Sequence, residues 1–150
     1  MNWGSYFDNK KVAIIGNAEI NFIKENEYDI IIRMNEADYA KNRTDVLAMS
    51  HFVGIEDLIR IKPQHLMWMT NKRRTFVSPY IQKLNYYPIE WWSKLSDKLQ
   101  ARPSTGVMVI DWVAHYTMEW DYFGFSFDYA QIPTPPHDVK REEAYIKCLK

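Results

Sequence analysis

Two short runs of β-branched residues constrain the fold of this 150-residue chain more than any other feature. Val12–Ile15 is a continuous apolar run closed by a Gly-Asn pair, and Tyr28–Arg33 is a second such run. Continuous apolar runs of this length are typical of strands buried on both faces of a sheet. The residues between them, with Ile20 and Ile23 at helical spacing, are enough for a crossover helix. The pair therefore predicts a βαβ unit and an α/β fold with a mainly parallel sheet.

The rest of the chain alternates further strands with helices. The predicted strands are Asp45–Met49, Leu66–Met69 and Trp120–Phe127, and the predicted helices are Ile55–Ile61, Tyr80–Leu84, Trp91–Leu99, Ser104–Tyr116 and Val139–Leu149. Pro133–Pro136 predicts a stiff connector. Because no repeat, low-complexity stretch or linker divides the sequence, we predict one mixed α/β domain over residues 1–150, with helices flanking the sheet.

Composition disfavours several classes of protein. Nineteen basic and 19 acidic residues give zero formal net charge, which argues against a nucleic-acid partner. The single cysteine, Cys148, cannot form an internal disulfide, so nothing requires an oxidising compartment. No apolar run approaches the roughly 20 residues that span a bilayer, and no secretory signal is visible. We therefore expect a soluble, cytoplasmic protein without a transmembrane segment.

Polar side chains follow the first two predicted strands. Gly16 and Asn17 come directly after the first strand, and Asn35 leaves the second strand at the same edge of the sheet. Open α/β sheets bind ligands at this edge, where asparagine amides can donate to phosphate or sugar oxygens. The dinucleotide fingerprint G-x-G-x-x-G is absent because Ala18 and Asn21 replace its second and third glycines, which disfavours a nicotinamide-binding domain. A simple turn and a strand-end cap remain the alternatives from these residues alone.

The predicted helix over residues 104–116 begins with a candidate anion site. Ser104 is a good N-cap, and the N–H groups that follow it can hold a phosphate or carboxylate. Thr105 adds a hydroxyl, and Gly106 removes side-chain bulk from the first turn. Simple helix capping is the alternative. Farther along, Asp111 and His115 share a face, as an acid–base pair or as a structural pair.

A histidine precedes the last predicted helix. His137 lies between the proline-rich segment and Asp138, which can cap that helix. A rigidly held histidine suits a general base that works near neutral pH, although many such residues are only surface residues. Glu142 suits the positive first turn of the helix. The sequence has no D-x-D pair and no His/Cys cluster, so it implies no bound metal.

The order and spacing of these residues resembles that of the sialyltransferase family. Val12–Asn17, Ile32–Asn35 and Arg43–Asp45 resemble its large motif, Pro103–Gly106 and Tyr122–Phe125 resemble its small motif, and His137–Glu142 resembles its very short H-x-x-x-x-E motif. All three motifs occur in the family's order and cover most of the chain. The resemblance implies a GT-A-like variant of the Rossmann-like fold.

The resemblance also implies an activity. It implies a metal-independent, inverting transferase with no cofactor, which moves a sugar from CMP-sialic acid or CMP-Kdo to a hydroxyl of a glycan or lipopolysaccharide-type acceptor. The donor-binding residues it implies are Gly16, Asn17, Asn35, Ser104, Thr105 and Gly106. His137 would take the proton from the acceptor hydroxyl, and Glu142 would support the geometry around it.

The chain also departs from the family's pattern. Ala18 and Glu19 stand where the family usually has a second glycine, and the family's histidine-aromatic motif is absent. The disulfide, membrane anchor and stem of secretory-pathway members are missing too, which favours a bacterial or viral origin. Bacterial sialyltransferases of another, single-domain family share the Gly-Asn start and a related fold, so that family is a close alternative. These departures leave a non-catalytic CMP-sugar or glycan-binding module as the alternative function.

Overall fold

A parallel sheet forms the centre of the protein. The computed structural model describes residues 1–18, 23–37, 43–72, 84–127 and 137–150. The strands within these ranges are β1 (Val12–Ile15), β2 (Ile30–Met34), β3 (Val46–Met49), β4 (His65–Trp68), β5 (Leu84–Tyr86) and β6 (Trp120–Phe123). They form one six-stranded sheet in the order β5-β4-β3-β2-β1-β6, and every neighbouring pair is parallel. The predicted α/β fold with a parallel sheet is confirmed.

Helices flank the sheet. They are α1 (Trp3–Phe7), α2 (Ile55–Ile61), α3 (Ile89–Leu99), α4 (Thr105–Ala114) and α5 (Val139–Cys148), with a short 3₁₀ helix at Glu25–Glu27. Four of the five predicted helices thus recur with ends shifted by two residues or fewer. Part of the predicted crossover helix, with Ile20, lies outside the described residues, and so does Pro133–Pro136.

Two predicted elements differ from the structure. The helix predicted over Tyr80–Leu84 is wrong at Leu84, which begins β5, while its other residues lie outside the described ranges. The predicted strand Trp120–Phe127 ends at Phe123 because Gly124 has a φ of 69°, which a strand cannot accommodate.

The alternation of side chains along the strands buries both faces of the sheet. Ile14 and Ile32 are register partners and point to the face covered by α1, α3, α4 and α5. Ile15 and Ile31 point to the opposite face, where Tyr28 covers them, and α2 covers Leu47 farther along that face. This two-sided burial is the physical reason why the strands read as continuous apolar runs.

The connectivity creates a crevice beside β1. From β1 the chain adds β2 to β5 in one direction and then returns through α3 and α4 to place β6 on the other side of β1. Ligands of open α/β sheets bind at the carboxyl ends of the strands where the strand order reverses in this way. The Gly16 N–H donates to the Phe123 carbonyl at 2.8 Å, and the Ala18 N–H donates to the Gly124 carbonyl at 2.9 Å. The carboxyl ends of β1 and β6 are therefore held together at the crevice.

Within the ranges that the structure describes, none of the helices has the length and apolar character needed to cross a membrane.

Candidate functional site

Glycines allow three segments to meet at the crevice. A Cβ atom on Gly16 would lie 2.5 Å from the backbone oxygen of Gly124, and one on Gly106 would lie 2.3 Å from the Phe125 ring. Both distances are shorter than any van der Waals contact. The end of β1, the end of β6 and the first turn of α4 therefore approach one another only because these residues lack side chains.

The two predicted asparagines lie next to each other at this edge. The Asn17 Nδ2 atom donates to the carbonyl of Met34, the residue directly before Asn35, at 3.0 Å. Asn35 has a φ of 50°, a left-handed conformation that asparagine tolerates better than most residues. Its Oδ1 atom accepts from the Ser50 N–H at 3.0 Å, so its NH₂ group is the end of the amide that remains to donate to a ligand.

Ser50 connects the asparagines to α4, and the sequence analysis missed it. Ser50 directly follows β3, and its hydroxyl hydrogen-bonds the hydroxyl of Thr105 at 2.6 Å. The carboxyl ends of β2 and β3 and the N-terminus of α4 are thus joined through side chains. The available signal was its position, because a polar residue directly after a buried parallel strand lies at the ligand-binding edge.

Ser104 is the N-cap of α4 and is held by a buried carboxylate. Its hydroxyl accepts from the Val107 N–H at 3.4 Å and donates to the Glu142 carboxylate. The Ser104 N–H also donates to Glu142 at 3.1 Å. Burial raises the pKa of the Glu142 carboxyl, while the hydrogen bonds from Ser104 and the nearby His137 act in the opposite direction. Glu142 therefore fastens α5 to the N-terminus of α4.

His137 lies at the same end of α4. Its Nδ1 atom is 2.7 Å from the carbonyl oxygen of Arg102, two residues before the N-cap. A carbonyl oxygen can only accept, so Nδ1 carries the hydrogen and Nε2 is the unprotonated nitrogen of the neutral ring. This hydrogen bond fixes both the tautomer and the orientation of the imidazole.

The structure brings the predicted residues to one region but separates the Asp111–His115 pair from it. Asp111 is seven residues along α4 from Ser104, or about 10 Å at the helical rise. Its carboxylate accepts from the hydroxyls of Tyr87 and Tyr145, which favours the structural interpretation of this residue. Among the described residues, no group of three or more His, Cys, Asp or Glu side chains is placed to hold a metal ion.

The fold was compared with those of known proteins. No family model and no curated protein matches the sequence. The sialyltransferase CstII from Campylobacter jejuni, solved with the substrate analogue CMP-3FNeuAc, matches 93% of this chain and 78% of its own with 15% identity and a TM-score of 0.59. CstII with CMP and a trisaccharide acceptor matches over the same shares with 16% identity and a TM-score of 0.57. A CstII variant with CMP gives 17% identity and a TM-score of 0.59, again over 93% and 78% of the two chains.

This chain has the fold of the CstII sialyltransferases. The resemblance that the motifs predicted is confirmed at the level of the fold, including the GT-A-like parallel sheet, which has six strands in the part of the chain that the structure describes. At 15–17% identity the likeness concerns the backbone alone, so the roles of individual residues rest on the geometry above.

We predict that Gly16→Ala will destabilise the protein, because the new methyl group meets the Gly124 backbone, which cannot rotate away. The expected loss is about 1–3 kcal/mol in the free energy of unfolding, the usual cost of overpacking. Gly54→Ala is the matched control, since a Cβ atom there meets nothing within 4 Å. Urea denaturation of both variants tests the prediction, and equal stability of the two would refute it.

Proposed function

We propose that the protein is an inverting, metal-independent glycosyltransferase that moves a sialic acid-like sugar from a CMP-sugar to a hydroxyl of a glycan acceptor. The observation that carries the proposal is the tautomer of His137. Its Nδ1 atom donates to the Arg102 carbonyl, so Nε2 keeps a lone pair that can accept a proton. Such a nitrogen is a ready proton acceptor at the ligand-binding edge of the sheet. The fold shared with the CstII sialyltransferases supports the choice of donor.

In this proposal the donor lies across the ends of β1 and β2 and the first turn of α4. Asn17 and Asn35 contact the CMP phosphate and ribose, and Gly16 keeps the ends of β1 and β6 together beside the donor. Ser104, Thr105 and Gly106 meet the donor carboxylate and cytidine at the positive end of the helix dipole. Because the Ser104 N–H and hydroxyl donate to Glu142, the N–H groups of Thr105 and Gly106 are the ones proposed to donate to the anion. Neutral amides and a helix N-terminus can thus hold an anionic donor in a chain of zero formal net charge.

The reaction is a single displacement. Nε2 of His137 accepts the proton of the acceptor hydroxyl while that oxygen forms a bond to the anomeric carbon. The bond from the anomeric carbon to the phosphate oxygen breaks, and CMP leaves with the electron pair. Attack from the side opposite the leaving group inverts the anomeric configuration. Glu142 acts as a positioning residue, because it holds Ser104 and keeps α5, which follows His137, against α4.

We expect CMP to stabilise the protein and a CMP-sugar donor to be consumed. CMP at a concentration of about 100 times its Kd adds about 2.7 kcal/mol to the free energy of unfolding. This corresponds to a rise of about 5–10 °C in Tm for a chain of this size. Incubation with CMP-sialic acid and CMP-Kdo separately, followed by measurement of released CMP, identifies the donor.

Two outcomes of this experiment would contradict the proposed activity. CMP binding without hydrolysis or transfer across a panel of glycan acceptors would identify a non-catalytic binding module. An unchanged Tm in the presence of CMP would exclude a CMP-sugar as the donor.

A further inference from the structure

A cavity between α3, α4 and α5 has no part in the proposed reaction. It has a volume of about 320 Å³ and lies beside the second half of α4. The residues that line the cavity include Trp91, Lys94, Lys98, Asp111, His115 and Tyr145. This volume is within the range of small-molecule sites, about 300–1,000 Å³. His115 is eleven residues beyond Ser104, or about 16 Å along α4. The cavity is therefore separate from the donor edge, the carboxyl ends of β1 and β2 and the first turn of α4, where the donor is proposed to bind.

The floor of the cavity is a buried carboxylate. The side chain of Asp111 is 6% exposed, and one oxygen accepts from the Tyr145 hydroxyl while the other accepts from the Tyr87 hydroxyl. A carboxylate has about four acceptor positions, so Asp111 retains capacity for hydroxyl groups of a ligand. Burial and contact with Asp111 raise the pKa of both tyrosines, which therefore stay protonated and keep donating.

One wall of the cavity is a flat aromatic pair. The Trp91 indole and the His115 imidazole are stacked with centroids 3.8 Å apart and planes 12° apart, so His115 covers one face of the indole and a ligand can pack only on the other. The His115 side chain is 42% exposed, so the pair borders both the cavity and the solvent. A large flat ring with an electron-rich face packs well against the C–H face of a pyranose ring.

The rim carries positive charge. Lys94 and Lys98 lie one helical turn apart on α3, and the Lys98 ammonium lies 5.5 Å from the centroid of the Tyr145 ring. The Asp111 carboxylate already accepts hydrogen bonds from two tyrosine hydroxyls. The two lysines that line the cavity therefore favour an anionic group on a ligand that enters it.

We propose that this cavity is a second, non-catalytic site for an anionic saccharide. The sugar ring packs on Trp91, its hydroxyls donate to Asp111, and its carboxylate or phosphate pairs with Lys94 and Lys98. The site does not depend on the proposed transfer reaction, because none of its residues lies at the donor edge.

The test is a titration of the full chain with 3′-sialyllactose, followed through the indole N–H signals in ¹H–¹⁵N NMR spectra. Trp91→Phe assigns the relevant signal by removing it. We expect 3′-sialyllactose to shift the Trp91 signal and the combined Lys94→Gln and Lys98→Gln variant to raise its Kd about fivefold to tenfold. Lys140→Gln, on the exposed surface of α5 and outside the cavity, is the matched control and should leave the Kd unchanged.

Neutral and inorganic probes test whether both the sugar ring and the anionic group of the ligand are needed for binding. Lactose should bind more weakly than 3′-sialyllactose, and inorganic phosphate alone should leave the Trp91 signal in place. Saturating CMP should not change the Kd for 3′-sialyllactose, since CMP binds elsewhere. The proposal is overturned by the absence of a shift at Trp91, by equal binding of lactose, by an equal shift with phosphate, by displacement with CMP, or by an unchanged Kd in the double lysine variant.

Discussion

His137→Ala will abolish sugar transfer and leave CMP binding intact. The variant removes Nε2, the nitrogen that the bond from Nδ1 to Arg102 leaves as a proton acceptor. Loss of a general base typically lowers the rate by about 10²–10⁴. Because His137 takes the acceptor proton and the donor residues lie elsewhere, the Kd for CMP should change little. Initial rates of CMP release with an acceptor present, together with calorimetric titration of CMP, measure the two effects separately.

The matched control for this variant is His65→Gln. His65 begins β4 at the amino end of the strands, packs against Trp3 and Tyr6, and has no place in the proposed reaction. Equal turnover in wild type and His137→Ala would remove His137 from the mechanism.

The fold was largely predictable because buried parallel strands have a simple sequence signature. β1 and β2 are apolar throughout, since both faces of the sheet are covered. The same rule fails for β5, whose three residues, Leu84–Tyr86, lie at the edge of the sheet and are only partly covered. A short, half-exposed edge strand has no continuous apolar run, so the sequence predicts no strand here and includes its first residue, Leu84, in a helix.

The donor edge was predictable where a residue's position relative to a strand or helix is enough to place it. Gly16, Asn17 and Asn35 follow predicted strands, and parallel strands deliver such residues to one edge. Ser50 follows a strand too, and this position was the signal available for it, but a single serine forms no motif.

Contacts between distant parts of the chain could not be predicted from local patterns. The carboxylate of Glu142 bonds Ser104, which lies 38 residues earlier. Asp111 was paired with His115 in the sequence analysis because they share a helix face. In the folded chain the His115 Nδ1 atom lies 3.8 Å from an Asp111 oxygen, and the Asp111 oxygens also accept from Tyr87 and Tyr145, which belong to other parts of the chain. Only tertiary packing brings these groups together.

Glu142→Ala will cost about 2–3 kcal/mol in the free energy of unfolding. It leaves the N–H and the hydroxyl of Ser104 without their acceptor at a part-buried position, and an unsatisfied buried donor costs about 1–3 kcal/mol. For a chain of this size the loss corresponds to a fall of about 5–10 °C in Tm. Glu143→Ala is the control: its carboxylate makes an i,i+4 ion pair with Lys147 at 3.2 Å on the surface of α5, which is worth about 0.5 kcal/mol. Equal stability of the two variants would mean that the link to Ser104 contributes nothing.

Glu142→Gln separates the hydrogen bonds of Glu142 from its charge. The glutamine oxygen can accept from the Ser104 N–H, and its NH₂ group can donate to the Ser104 hydroxyl, so the link survives without a buried charge. Burial raises the pKa of Glu142 in the folded state, so folding favours its protonated form. The stability that this preference contributes is complete below the unfolded-state pKa and is lost as pH rises through the raised folded-state value. As pH rises above about 4, the ordinary range of a glutamate pKa, urea denaturation should therefore show wild type losing stability relative to Glu142→Gln. A pH-independent difference would show that burial does not dominate at Glu142 and that Ser104 and His137 fully compensate its charge.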